Sequence, residues 1–183
     1  MLPPGQVKAK RWALYAALGT PSIELDSWRL EITGLVRNSL KLSYRELLDM
    51  RLVRLRRDFH CVTGWSVEGV EWEGVRIRDL AELAGVSDKA RWIMFWSVEG
   101  YSAPVPLEEA LKDDSIIALR MNGEPIPHEH GFPARPIIPS LYGWKSVKWL
   151  CKMEFMEHYV DGFWEARGYH ERGDVWREER FKT

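Results

Sequence analysis

Leu52-Val53-Arg54-Leu55-Arg56-Arg57-Asp58-Phe59-His60-Cys61-Val62-Thr63-Gly64-Trp65 is the stretch on which the reading of this chain turns. Residues 52–61 alternate in polarity, as a half-buried strand does, and this places Val53, Leu55, Arg57, Phe59 and Cys61 on one face. Gly64 then marks a turn. A cysteine at a strand end has a rigid mount, and a soft thiolate suits a soft or highly charged redox metal. A buried structural cysteine is the plainer alternative. His60 is poorly placed to activate Cys61 as a nucleophile, because neighbours along a strand point to opposite faces. Zinc is disfavoured too, since no second cysteine and no suitably spaced histidine lies nearby.

Upstream, Trp28-Arg29-Leu30-Glu31-Ile32 alternates in the same way and stops at Gly34, so a strand is expected there. Ser43-Tyr44-Arg45-Glu46 is a capping box that opens a short helix through Met50. Downstream, residues 77–84 read as a helix closed by Gly85, 92–96 as a buried strand, 106–112 as a helix entered through Pro106, and 115–119 as another strand. Residues 122–143 hold too many breakers for long elements, with room for a short strand at Ile137-Ile138. A loop of that length in a compact domain is usually functional or disordered, and its aromatic and histidine content argues for the first. Residues 147–155 alternate strictly, with Val147, Trp149, Cys151, Met153 and Phe155 on one face, which makes Cys151 a core cysteine. Short strands and short helices without a regular βαβ rhythm give an α+β fold of mixed β-sheets. One domain accounts for all 183 residues, with 1–27 as an N-terminal segment and 157–183 as an aromatic, charged tail wrapped over the surface.

A net charge of −1 with 29% charged residues gives no general attraction to nucleic acid or to an anionic membrane. No stretch reaches the roughly 20 apolar residues that span a bilayer. The run from Trp12 to Leu18 is short for a signal peptide and follows no twin arginine, so cytoplasmic residence is expected. Two cysteines do not make a disulfide framework. Ten Trp supply either a large aromatic core or a pocket for a flat ring system.

Two further clusters carry chemistry. His128-Glu129-His130-Gly131-Phe132-Pro133-Ala134-Arg135 is followed by Tyr142-Gly143-Trp144-Lys145-Ser146-Val147-Lys148-Trp149. Arg offers phosphate a planar fork and Lys a point charge, and the glycines let backbone amides approach an anion. A solvated surface loop is the competing reading. In Gly100-Tyr101-Ser102, a tyrosine at a strand-to-helix connection is placed either to offer its hydroxyl to a site or to pack in a turn.

These pieces, in this order, resemble the molybdenum domain of the sulfite oxidase family, which includes plant nitrate reductase and bacterial protein-methionine-sulfoxide reductase. The resemblance runs from about Trp28 to Phe181. It is carried by the cysteine strand and turn, Trp72-Glu73-Gly74-Val75, Gly100-Tyr101-Ser102, Asn122-Gly123-Glu124-Pro125, His130-Gly131-Phe132-Pro133-Ala134-Arg135 and Lys148-Trp149-Leu150. It implies the fold of that molybdenum domain and a molybdenum-molybdopterin cofactor with Cys61 as the metal's protein ligand. Tyr101 matches a tyrosine beside the metal's oxygen ligand. His130, Arg135 and Lys148 match cofactor-binding positions, and Gly143, Trp144 and Lys145 match a cofactor-binding triplet of the methionine-sulfoxide reductases. Ser97 matches a threonine that touches the cofactor in that subgroup. Arg57, on the cysteine's strand face, is a candidate to meet an anionic substrate.

The implied activity is two-electron oxygen-atom transfer on a small-molecule, sulfoxide or oxyanion substrate, with electrons passed to a separate electron-transfer partner. A non-catalytic molybdopterin-binding or scaffold module is the rival reading. The sequence also departs from the family. Thr63 and Gly64-Trp65 stand where the subgroups have a glutamate or a Gly-Asn pair, and Arg11 to Gly19 occupies the place of the usual N-terminal cofactor segment. No cytochrome domain and no second β-sandwich domain is expected.

Overall fold

The computed structural model describes residues Met1 to Thr183. Its strands and helices, in chain order, are β1 (Val7–Lys8), β2 (Leu30–Gly34), β3 (Leu40–Leu42), α1 (Tyr44–Leu48), β4 (Leu52–His60), β5 (Trp65–Arg76), α2 (Ile77–Ala84), β6 (Trp92–Ser97), β7 (Ser102–Pro106), α3 (Leu107–Ala110), β8 (Ile116–Met121), β9 (Glu124–Pro125), β10 (Arg135–Ile137) and β11 (Leu150–Met156). They form two mixed sheets. In one, the order β1-β5-β8-β10 is extended by β4 on β5 and β9 on β8; in the other the order is β3-β2-β11-β6-β7. The α+β class expected from the sequence is therefore the one observed.

Local signals hold where the chemistry is local. Ser43 accepts from the Glu46 amide at 3.1 Å, and Glu46 accepts from the Ser43 amide at 2.7 Å, closing the capping box of α1. Gly85 ends α2 in the left-handed conformation, at φ 70°. The main core lies between the sheets and under α2. It gathers Leu30 and Ile32 of β2, Ile77 and Leu80 of α2, Phe95 of β6, and Met153 and Phe155 of β11.

The largest departure from expectation is β5, a strand of 12 residues that the polarity pattern of Trp65–Arg76 does not announce. Two glycines interrupt that pattern, and the structure explains both. A Cβ on Gly74 would stand 1.9 Å from the Ile117 carbonyl, so only glycine lets β8 close against β5. Gly69, at φ 66°, lies where the β4–β5 register shifts, and its amide bonds Asp58 Oδ1 at 2.8 Å.

That bulge corrects the reading of Arg57. The register breaks between Arg57 and Phe59, so strict alternation does not carry on to Cys61. Phe59 turns inward. Arg57 stays exposed and pairs with Asp114 at 3.3 Å. A second irregularity corrects Cys151. Trp149 takes φ 52°, and the β11–β6 register shifts between Leu150 and Lys152. Leu150 therefore takes the core position, and Cys151 is half-buried beside Ser97, Arg29 and Lys152 rather than in the core.

Candidate functional site

A cavity of about 470 Å³ opens at the C-terminal end of β4, between the two sheets' connecting loops. Cys61, Val62 and Thr63 reach it from the turn after β4; Glu99 and Tyr101 reach it from the β6–β7 turn. Arg135 comes from the start of β10, and Gly143, Trp144, Ser146, Lys148 and Trp149 come from the loop before β11. Trp12 to Ala17 forms a further wall, and Trp164 and Tyr169 of the tail complete it. The N-terminal segment and the wrapping tail are thus both part of the site.

Cys61 sits at the edge of this cavity, unbridged, with its Sγ 3.1 Å from the Thr63 hydroxyl. His60 turns away from it and meets Ser66 Oγ at 2.7 Å, buried beneath the strand, as alternation along β4 requires. Burial lowers the His60 pKa. The sulfur is therefore left free of a neighbouring base and open to a ligand.

Two cations face the same space. The Arg135 guanidinium is 3% exposed and its pKa is drawn down to about 9, because burial disfavours the charge. It donates to Ser146 Oγ, the Ser146 carbonyl and the His130 carbonyl, each at 2.9 Å, and lies 5.2 Å from the Phe59 ring centroid. Lys148 has its pKa lowered to about 8, by burial first and then by the nearby charge of Arg135. Its ammonium donates to the Tyr15 carbonyl at 2.6 Å and lies 4.7 Å from the Trp149 ring centroid. Two partly desolvated cations among aromatic walls form a ready site for a phosphate.

Lys145 has a different place. Its side chain is 1% exposed and pairs with the fully buried Glu165 at 2.9 Å. It also donates to the carbonyls of Pro104 at 2.5 Å and Glu171 at 2.6 Å. Of the expected triplet, Gly143 and Trp144 line the cavity and Lys145 anchors the tail beneath it. Ser146, which the sequence reading did not single out, stands in the wall instead. Ser97 is likewise off the cavity: it is buried beside Cys151, with its hydroxyl unpartnered. His130 packs its ring against Trp12 at 4.8 Å, one layer behind the wall.

Tyr101 lines the cavity, and its hydroxyl donates to the Trp144 carbonyl at 2.6 Å. Burial, reinforced by Glu165, raises its pKa well above the usual tyrosine value, so it stays a neutral donor. Glu99 is the cavity's carboxylate, and one of its buried oxygens has no partner. Nothing in the pattern around Val98-Glu99-Gly100 distinguishes it from an ordinary turn glutamate.

The donor set fits a large, flat, phosphate-bearing metal cofactor. Trp12, Trp144 and Trp149 offer ring surfaces, Arg135 and Lys148 offer cations, and Cys61 offers a soft ligand. The Glu99 Oε2 atom, on the cavity wall, is buried without a partner, a cost that a ligand bearing a donor relieves. Gly143 is held against Phe59, where a Cβ would stand 2.4 Å from the ring, so the backbone there lies as deep as the chain permits. No group of three or more His, Cys, Asp or Glu side chains converges as an all-protein metal site.

Comparison with known proteins agrees with this geometry. A family model described as the oxidoreductase molybdopterin binding domain matches residues 17–164. The chain is 42% identical over 158 residues to the uncharacterized oxidoreductase YuiH of Bacillus subtilis, covering 86% of this chain and 80% of that protein. It is 28% identical over 172 residues to the protein-methionine-sulfoxide reductase catalytic subunit MsrP of Gluconobacter oxydans, covering 80% of this chain and 52% of that one. It is 27% identical over 180 residues to the sulfite oxidase of Arabidopsis thaliana, covering 79% and 46%. The chain thus spans about half the length of those two relatives. Among solved structures, the sulfane dehydrogenase SoxCD of Paracoccus pantotrophus superposes with a TM-score of 0.72 at 25% identity, over 78% of this chain and 41% of that one.

Proposed function

The chain belongs to the oxidoreductase molybdopterin-binding domain family, molybdenum-dependent oxidoreductases that carry molybdopterin, and on that premise we propose that its cavity performs two-electron oxygen-atom transfer with the Cys61 thiolate on molybdenum. The observation that carries this reading is the meeting of Cys61, Arg135 and Lys148 on one aromatic cavity from three separate parts of the chain.

Each wall has a task in this proposal. Arg135 and Lys148 hold the cofactor's phosphate, and Gly143 allows close backbone approach. Trp12, Trp144 and Trp149 flank the ring system and keep water out. Tyr101 holds a proton at its hydroxyl oxygen, because its surroundings oppose ionisation. When bound, molybdopterin supplies a molybdenum centre that alternates between Mo(VI) and Mo(IV) and so exchanges an oxygen atom together with two electrons.

The substrate is a small molecule, a sulfoxide or an oxyanion, and the electrons pass singly to or from a separate protein partner. Arg57 no longer belongs to this reading, since it faces Asp114 on the exposed side of β4. No helix is long and apolar enough to cross a membrane. A cytoplasmic setting is part of the proposal, in keeping with two unbridged cysteines, and cell fractionation checks it.

The test is metal analysis of the chain purified from a host that makes molybdopterin, beside Cys61→Ser. About one molybdenum per chain is expected in the wild type, with the visible thiolate-to-metal absorption band lost or shifted in the variant. A wild type without molybdenum, in a host shown to supply it to another enzyme, overturns the proposal. Molybdenum bound without turnover of any sulfoxide or oxyanion, using dye donors and acceptors, supports a binding module instead.

A further inference from the structure

The turn that carries Cys61 is tied to both ends of the chain. From the N-terminal end, Gln6 Nε2 donates to the Cys61 carbonyl at 3.1 Å, and it lies 3.0 Å from both the Trp65 carbonyl and Ser66 Oγ. From the C-terminal end, one guanidinium nitrogen of Arg180 donates to the Val62 carbonyl. Its other terminal nitrogen meets Gln6 Oε1 at 2.9 Å and the Pro4 carbonyl at 3.2 Å. The Arg180 side chain is 15% exposed. Its guanidinium lies 5.0 Å from the ring of Tyr142, which in turn stacks on Trp144 of the cavity wall. There is little slack: a Cβ on Gly5 would stand 2.5 Å from Arg180 Nη2.

We propose that Gln6 and Arg180 are positioning residues for the metal-binding thiol, forming a clamp in which the two chain ends close on the Cys61 turn and fix where its sulfur stands. Within itself the turn has two backbone bonds, Cys61 N–H to the Trp65 carbonyl at 2.9 Å and Gly64 N–H to the Cys61 carbonyl at 3.0 Å. Gly64, at φ 103°, adds a flexible link rather than a brace. A metal ligand needs its geometry held within a few tenths of an ångström, and the residues behind a ligand normally supply that rigidity. Here Gln6 and Arg180 take the carbonyls of Cys61, Val62 and Trp65. The planar guanidinium spreads its donors over separate nitrogens in a fixed fork, so one reaches Val62 while another reaches Gln6 and Pro4; a lysine ammonium, a compact point charge, does not span them in that way. Both residues lie outside positions 17–164, so the shared family core does not supply this clamp. Its consequence for molybdenum rests on the proposed role of Cys61; its geometry does not.

Amide hydrogen exchange on the full-length, cofactor-free chain reads the clamp directly. Arg180→Ala is expected to speed exchange at the Cys61 and Gly64 amides by about tenfold or more, because a charge-assisted bond to the turn is lost. The β5–β8 ladder between Val75 and Ile117 keeps its wild-type protection. Gln6→Ala gives the same local pattern, and the double variant adds little to either single one, as expected of residues in one network. In the molybdenum-loaded protein, both substitutions shift the sulfur-to-metal absorption band, and Arg180→Lys falls between Arg180→Ala and wild type. Unchanged exchange at Cys61 and Gly64 in Arg180→Ala overturns the clamp. So does equal acceleration of the Val75–Ile117 ladder, which marks general loosening. A wild type that takes up no molybdenum defeats the proposed function, while the exchange result still decides the clamp.

Discussion

Lys145 and Lys148 share one loop, yet the fold closes over the first and leaves the second facing the cavity. Lys145 is 1% exposed and locked to Glu165, with two backbone carbonyls as further acceptors. Lys148 has a single hydrogen bond, to the Tyr15 carbonyl, and otherwise rests on the Trp149 ring. Both have lowered pKa values, and in both cases burial is the leading cause. The difference lies in the answering charge. Glu165 pairs with Lys145 in direct contact, whereas Lys148 has no carboxylate in contact: the charge of Arg135 opposes it and that of Glu99, the smaller influence, favours it. A cation on a cavity wall with no carboxylate in contact is available to a ligand; one paired beneath the wall is a strut.

The largest effect that separates the two is on stability. Lys145→Met leaves Glu165 as an uncompensated buried carboxylate and should cost about 3–5 kcal/mol of unfolding free energy, measured by urea denaturation. Replacing both partners with apolar residues of similar size, Lys145→Met with Glu165→Leu, should recover part of that loss, the remainder reflecting the Trp144 indole N–H that gives Glu165 a 2.7 Å bond and the Pro104 and Glu171 carbonyls. A small effect from Lys145→Met alone would mean that the pair is not the strut described here. Lys148→Met should change stability far less, because the residue has no buried carboxylate to strand. It should instead speed loss of molybdopterin on dialysis by about tenfold to a hundredfold, the worth of one charge-assisted phosphate contact. Equal cofactor loss from both variants, after correction for unfolding, would erase the distinction.

The two cysteines make the same comparison from the standpoint of sequence. Cys61 ends a strand, and its turn, its separation from His60 and the family resemblance single it out as the candidate metal ligand; the structure places it on the cavity. Cys151 looked like a core residue because residues 147–155 alternate, and it is not one. A single residue at positive φ, Trp149, and one register shift moved it to a half-buried place where burial pushes its thiol pKa up to about 11. Arg57 was displaced by the same kind of event on β4. Local devices such as the Ser43–Glu46 capping box and the Gly85 cap could be read because every group involved lies within a few residues. Bulges could not, because they answer to the partner strand. The aromatic cavity was foreshadowed by ten Trp, but the choice of Trp12, Trp144 and Trp149 for its walls depends on tertiary contacts. Gln6 and Arg180 carried no signal at all, being polar residues in the two chain ends.

The smallest and most specific test of the lysine pair is its pH dependence. In the folded, cofactor-free chain Lys148 titrates near 8, against about 10.5 for a free lysine. Between those values the unfolded chain binds more protons than the folded one, so stability contributed by this group rises with pH across the window and is absent below it. The slope from one proton does not exceed about 1.4 kcal/mol per pH unit, and Lys148 gives less because solvent reaches it. Lys148→Met should remove this share of the rise, seen as a shallower climb of the unfolding midpoint between pH 8 and 10; what remains belongs to Arg135 and Lys145, whose titrations burial also lowers. A bound phosphate should act in the opposite sense, by favouring the ammonium and carrying its titration upward. The wild type loaded with molybdopterin should therefore also show a shallower rise, and should release cofactor faster as pH passes the shifted value. If the loaded and empty chains keep the same slope, the phosphate does not sit on Lys148, and Arg135 is left to hold it with Ser146 and the backbone around Gly143.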